Sequence, residues 1–558
     1  MDYAKYKPYP VFRLENRTWP ENQITQAPVW CSVDLRDGNQ ALVNPMTLEQ
    51  KLDFFKLLVD IGFKEIEIGF PAASDTEFNF ARALIERGLI PDDVKIQVLT
   101  QAREHIITKT FEALDGVKSA IVHLYNSTST LQRDVVFGKS RDEIKKIAVD
   151  GAVVLNKLAK KYGEDQFRFE YSPESFTGTE TDYAAEVCNA VIDVWNPTPE
   201  RKVIINLPST VEMTTPNVYA DQIEYMSNNL KCRDSIVLSV HTHNDRGTGI
   251  ASSELALLAG AQRVEGTLFG NGERTGNADI ITIAMNLFTQ GVDPGLDFSS
   301  IDTIRNIYQD YTELPVHPRH PYAGALVFTA FSGSHQDAIK KGMAKMKKRH
   351  GSWEVPYLPI DPADLGRDYD QIVRVNSQSG KGGVAFVLEQ EYSIQMPREM
   401  QKDFGPIVTA YSDYKSRALP PQKIYELFEK TYINIKKPIE LVWYDETTNG
   451  DFSVTATVKV NGEEREIAGS GNGIVSAFCE ALYGVADARF DIMNYNQHSL
   501  EHGSKSRAIT YLQISDEKGT NYFGAGISSS TTKSSLLAVA SAFNRMLVIT
   551  EDRVALGI

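Results

Sequence analysis

The chain has 558 residues, 42% hydrophobic and 23% charged, with a formal net charge of −15. That is the composition of a folded globular protein rather than a disordered one, several domains long, and its acidic balance argues against nucleic acid as the main partner. No apolar run reaches the roughly twenty residues of a membrane span, the start "MDYAKYKPYPVF" is polar and aromatic rather than a signal peptide, and Cys31, Cys188, Cys232 and Cys479 show no CxxC spacing, so a soluble cytoplasmic protein without membrane contact is expected.

Residues 1–28 form an N-terminal extension expected to drape over a folded domain or a neighbouring subunit. From 29 to about 290 the chain repeats a β-branched apolar run, a polar turn and a helical pattern. The runs are "VWCSVDL", "KEIEIGF", "KIQVLT", "SAIVHLY", "FRFEYS", "KVIINLP", "SIVLSV" and "RVEGTLF", eight in all. The helical segments between them include "TLEQKLDFFKLLVDIG" and "SRDEIKKIAVDGAVVLNKLAKKYG", which open on Thr or Ser caps. Eight such alternations predict a TIM (β/α)8 barrel over 29–325, with an open doubly wound sheet as the alternative. Polar groups gather just past the strand ends, in "RDGNQ", "HLY", "EYSPES", "NLPST", "HTHND" and "GNGERTGN", where this barrel builds its active site.

Beyond the barrel, residues 326–430 read as helical linker subdomains with Pro- and Gly-rich breaks. There "SGKGG" is not a phosphate loop, because Val375 stands where the motif needs glycine. The basic run from Lys340 to Arg349 reads as a solvated helix face. Alternation returns over 431–558 as a strand-strand-helix pattern used twice, which predicts a pseudo-symmetric α+β module. Its glycine turns "GSGNG" and "GAGISSS" suit a small effector or an oligomer contact.

The chemistry is concentrated in "HTHND", which places two of ten histidines two residues apart. In a strand such residues share a face. In a closed barrel His241 and His243 on the seventh strand, Asn277 after the eighth and Asp37 after the first are neighbours. A carboxylate, two imidazoles and an amide oxygen suit a divalent metal with open positions, able to polarise a carbonyl. The plainer readings are two surface histidines, a cap or a partner of Arg36 for Asp37, and a turn amide for Asn277. Arg36 would set a fixed cation where an oxyanion develops, and Glu174 after the fifth strand could act as a base or hold a loop salt bridge. Glu273 and Arg274 fit loop contacts as well as substrate contacts.

The motifs "LRDGNQAL", "NLPSTVEMTTPN", "HTHNDRGT", "GNGERTGN", "FTAFSGSHQDAI" and "RVNSQSGKGG", in that order, resemble the 2-isopropylmalate synthase family in its longer form, over nearly the whole chain. The resemblance implies a homodimer with a metal-dependent barrel, a linker and a C-terminal leucine-binding domain. It implies a Claisen-type condensation of acetyl-CoA with 3-methyl-2-oxobutanoate and thioester hydrolysis to 2-isopropylmalate, with feedback by leucine. Carried onto this chain, it gives Asp37, His241, His243 and Asn277 as holders of Mg²⁺, with Mn²⁺ and Zn²⁺ as alternatives, and Arg36 as the charge stabiliser. It lines the acyl pocket with Leu99, His123, Ser172, Asn206, Pro208 and Thr210. It makes His335, with Tyr357, a base arriving from the neighbouring subunit's linker and paired with Glu174; histidine suits that role because it gains and loses a proton near neutral pH. Gly469, Gly471 and Ala477 are its leucine-site positions. Homocitrate and citramalate synthases share Arg36, Asp37 and the paired histidines, and a lyase running the reverse cleavage or a non-catalytic amino-acid-binding barrel are the more distant alternatives.

Overall fold

The structure, a computed structural model, describes all positions except 3, 331, 348–350, 368–379, 416–418, 450, 487, 502, 504 and 557–558. Part of "RVNSQSGKGG", one residue of "FTAFSGSHQDAI" and the end of the basic run therefore lie outside the described residues. The chain divides into two compact units, residues 1–327 with 362–366, and residues 328–361 with 367–558.

In the first unit all eight apolar runs form parallel strands: β1 (Val29–Ser32), β2 (Glu65–Gly69), β3 (Lys95–Gln101), β4 (Ala120–Ser127), β5 (Phe167–Glu174), β6 (Val203–Ser209), β7 (Ile236–Thr242) and β8 (Arg263–Gly266). They close in sequence order, β1 pairing with both β2 and β8, so the barrel and not the open sheet is adopted. Helices return the chain between strands. Thr47 and Gln50 close a reciprocal capping box on the first, and Ser140 and Glu143 do the same on the helix Arg141–Tyr162. Register sets the height of the side chains: Leu99 pairs with His123, Tyr125 with Ser172, Pro208 with His241, and His241 with Glu265.

The N-terminal segment lies along the barrel's outer helices. The Tyr9 hydroxyl donates to the Thr177 carbonyl at 2.7 Å, Arg17 to Asp221 at 2.6 Å, and the buried Trp19 indole to Asp221 at 2.8 Å. No helix among the described residues is long and apolar enough to cross a membrane. All four cysteines are free thiols, and only Cys232 is exposed.

The second unit begins with the helices Gly333–Met346, Gly380–Tyr392, Arg398–Lys415 and Pro421–Tyr432. The first of these is only partly solvated: Gln336, Ile339 and Gly342 are buried, and Lys340 pairs with Glu389. Two antiparallel sheets follow, β9 (Ile439–Asn449), β10 (Asp451–Val460) and β11 (Glu463–Gly471), then β12 (Phe490–Ser499), β13 (Ala508–Asp516) and β14 (Asn521–Ser528). The helices Ile474–Tyr483 and Thr531–Leu556 close the two repeats. Each repeat is thus three strands and a helix, not two and a helix. The run "DFSVTATVKVNGEEREIAGSG" is two strands, because Asn461 and Gly462 both take positive φ (50° and 97°) and make a tight hairpin.

Glycines let each helix sit on its sheet. A Cβ at Gly469 would fall 2.3 Å from the Ala477 carbonyl oxygen, and one at Gly524 2.2 Å from the Ala542 nitrogen. Both contacts are below any real Cβ distance, so the strand must be bare where the helix crosses it.

Candidate active site

The turn after β1 carries Arg36 and Asp37 in the helical stretch Asp34–Gly38. Buried Asp34 anchors this turn, accepting from Ser32 Oγ at 2.8 Å and from the Leu268 amide at 3.0 Å. Burial pushes the Asp34 carboxyl up to about 7. Arg36 donates to Glu67 at 2.6 Å and to Asp37 at 2.8 Å, and is nearly covered. Burial alone would raise the Asp37 carboxyl, but the charges of Arg36, His241 and His243 hold it well below the ordinary carboxylate range.

His241 and His243 both present Nε2 at 3.7 Å from Asp37 Oδ2. That separation is too long for a hydrogen bond, yet two metal bonds of about 2.1 Å can span it. The donor atoms of all three residues lie within 4.8 Å of one another, and all three side chains are buried. Asn277 joins them, donating to Asp37 Oδ2 at 2.8 Å and setting its oxygen 2.9 Å from His241 Nε2. His243 Nδ1 is buried with no hydrogen-bond partner. A carboxylate, two imidazoles and an amide converging on one point fit a divalent cation. The two rings differ electrostatically. Burial lowers both, but Asp37 and Glu265 outweigh it at His241 and raise it to about 9, whereas at His243 burial and the neighbouring His241 leave it near 4.

One cavity of about 280 Å³ opens above these groups. It is lined by Arg36, Asp37, Leu99, His123, Ser172, Glu174, Asn206, Pro208, Thr210, His241 and His243, so every barrel residue singled out in the sequence faces it except Asn277, which sits behind Asp37. Inside it the His123 ring bridges Ser172 Oγ at 2.7 Å and Glu67 at 2.9 Å, and Asn206 donates to Ser172 at 3.0 Å. Ser127 donates to Glu174. Arg274 holds the rim, donating to Asp245 at 2.7 Å, and Glu273 accepts from Gln40 at 3.1 Å.

His335 and Tyr357 belong to the second unit, where their rings stack at 4.0 Å and 23°, with Tyr357 exposed. Gly469, Gly471 and Ala477 are also brought together there: a Cβ at Gly471 would sit 2.8 Å from the Ala477 nitrogen.

Sequence reasoning passed over Tyr125, Gln40 and Phe70, which also line the cavity, and the buried Glu67, Gln97, Glu170, Arg263 and Glu265 beneath it. The available signal was charge inside "KEIEIGF", "FRFEYS" and "RVEG", runs otherwise apolar enough to be buried.

Three family descriptions match the chain: HMGL-like over residues 27–307, alpha-isopropylmalate synthase post-catalytic domain-like over 325–389, and LeuA allosteric (dimerisation) domain over 418–547. Among similar proteins, 2-isopropylmalate synthase of Acetoanaerobium sticklandii is 58% identical, covering 99% of this chain and 98% of that one. Those of Clostridium acetobutylicum and Agrobacterium fabrum are 54% and 53% identical, each over 98% of this chain and over 99% and 98% of their own.

Proposed function

Since the chain belongs to the 2-isopropylmalate synthase family, and is with it an acyltransferase of leucine biosynthesis, we propose that its barrel condenses acetyl-CoA with 3-methyl-2-oxobutanoate and hydrolyses the thioester, releasing 2-isopropylmalate and CoA. The observation that carries this reading is the meeting of Asp37, His241 and His243 under a cavity that also holds Arg36 and Glu174.

In this reading Asp37, His241, His243 and Asn277 hold a divalent cation, Mg²⁺ first and Mn²⁺ or Zn²⁺ after it, which when bound polarises a carbonyl as a Lewis acid. Arg36, fixed by Glu67 and Asp37, keeps a positive charge facing the oxygen on which negative charge grows. Leu99, His123, Ser172, Asn206, Pro208 and Thr210 enclose the branched acyl group. Glu174 and His335 share the removal of the acetyl methyl proton, with His335 and Tyr357 supplied by the linker of a second copy in a homodimer. The functional division proposed is extension 1–28, barrel 29–325, linker 326–430 and regulatory domain 431–558. Leucine binds near Gly469, Gly471 and Ala477 and inhibits, a reading supported by the allosteric-domain match. The enzyme works in the cytoplasm.

Thiol release from acetyl-CoA by the Mg²⁺-supplied protein tests this across 3-methyl-2-oxobutanoate, pyruvate and 2-oxoglutarate, with and without leucine. Release confined to 3-methyl-2-oxobutanoate and suppressed by leucine is expected. Preference for another oxo acid would overturn the pocket assignment, and no release with any would overturn the condensation itself.

A further inference from the structure

Such barrels are filled by layers of branched apolar side chains, yet beneath this cavity the interior is charged. Arg263, at the start of β8, is fully buried and donates to Glu65 at 2.6 Å, to Glu265 and Gln97 at 2.8 Å each, and to Ser239 at 2.9 Å. Gln97 in turn donates to Glu265 at 2.9 Å and to Glu67 at 3.3 Å. Two carboxylates rise from this floor toward different parts of the site. Glu265 Oε2 accepts from His241 Nδ1 at 2.8 Å and, at a longer 3.2 Å, from the Asn206 amide. Glu67 takes Arg36 on one oxygen at 2.6 Å and His123 on the other at 2.9 Å.

We propose that Glu265 and Glu67 are two separate positioning residues on one floor, Glu265 setting the ring of His241 for the divalent ion, and Glu67 setting Arg36 and His123 for the oxo acid. An imidazole that gives its Nδ1 proton to a carboxylate has its tautomer and ring plane fixed, with Nε2 left free as the donor to a metal. In His241 that nitrogen is the one facing Asp37 and Asn277. His243 has no such support, its Nδ1 being without a partner, so Glu265 is the one carboxylate found behind a ligand ring among the described residues. The Glu67 arm reaches the ion side through the Arg36–Asp37 bond and, more weakly, through Gln97, whose amide lies 2.9 Å from Glu265 but 3.3 Å from Glu67. Asp37 keeps its second contact to Asn277 when the Arg36 bond weakens. Gln97 donates to both carboxylates, whereas Arg263 holds Glu265 directly and Glu67 only by way of Gln97.

This inference rests on the reading that Asp37, His241 and His243 hold the ion, and it fails separately from it. Mn²⁺ binding, followed by the paramagnetic signal of the free ion, is measured on the full-length wild type and on Asp37→Asn, Glu265→Gln and Glu67→Gln, with the KM for 3-methyl-2-oxobutanoate at saturating Mn²⁺ as the second readout. Glu265→Gln is expected to weaken Mn²⁺ about 10–100-fold, as loss of a supporting carboxylate does elsewhere. Glu67→Gln should leave Mn²⁺ affinity within about threefold while raising the KM about tenfold. If the wild type binds no Mn²⁺, or Asp37→Asn binds equally well, the ion site falls and the inference with it. If Asp37→Asn loses binding but Glu265→Gln keeps it, or if the two glutamate variants weaken it alike, the two-arm assignment alone is overturned. Should either buried substitution prevent folding, Glu265→Asp and Glu67→Asp keep each charge and shorten its reach; the same split, weaker Mn²⁺ binding in the first and a raised KM in the second, is expected of them, and its absence would overturn the assignment.

Discussion

The barrel and the C-terminal repeats use the same two element types for opposite purposes. In the barrel, helices stay on the outside and the inside is given to side chains, so that Arg263, Glu265, Glu67 and Gln97 are fully buried and still paired. In the repeats each helix lies directly on a sheet, and Gly469, Gly471, Gly524 and Gly526 remove side chains where it crosses. The repeats' core is correspondingly apolar, from Ile439 and Val454 to Phe543 and Met546. A motif rich in ionisable groups therefore marks chemistry in the first region, whereas a motif rich in glycine marks backbone approach in the second. The glycines proposed for the leucine site carry this packing duty whatever else they do.

Breaking the barrel's side-chain logic should give the largest effects. Asp37→Asn is expected to lower turnover by about a thousandfold or more, the several kcal/mol that an ion's polarisation contributes, while calorimetry shows the melting of the second unit unmoved. Arg263→Met should cost about 3–5 kcal/mol, because buried carboxylates lose the cation that pairs them; a drop in the barrel's thermal transition checks it, and an unchanged transition would mean that the charged floor is dispensable. Gly524→Val tests the other region: forcing a side chain against Ala542 should cost about 1–3 kcal/mol by overpacking, lowering the second unit's transition without changing Mn²⁺ binding by the barrel.

The smallest effect separates buried charge from rim charge. Glu180 is one-third exposed and bridges Arg133 and Arg141 at 2.7 and 2.8 Å. Its carboxyl is lowered to about 2, first by the Arg133 hydrogen bond. A lowered acid stabilises the fold above its unfolded value near 4.5 and loses that contribution as pH falls toward 2. After solvent screening the contribution is about 1 kcal/mol, so Glu180→Gln should melt slightly lower than wild type at pH 7 and match it near pH 2.

What the sequence determined by itself was whatever depends on near neighbours. Eight apolar runs with capped helices between them specified the barrel strands, and the polar residues that end those strands, from Asp37 to Asn277, could be assigned to one mouth because strand order alone makes the seventh, eighth and first neighbours. The hairpin at Asn461 and Gly462 was equally local, but two strands sharing one alternating pattern hid the turn. Only the tertiary structure decided the charged floor. Arg263 meets Glu65 on β2 and Gln97 on β3 across more than 160 positions of sequence, and in a strand of period two an inward glutamate and a solvent-facing one look the same. Closure of the barrel chooses between them, because only then do the inward faces of β8, β2 and β3 share a space without water, where an unpaired charge would be too costly to keep.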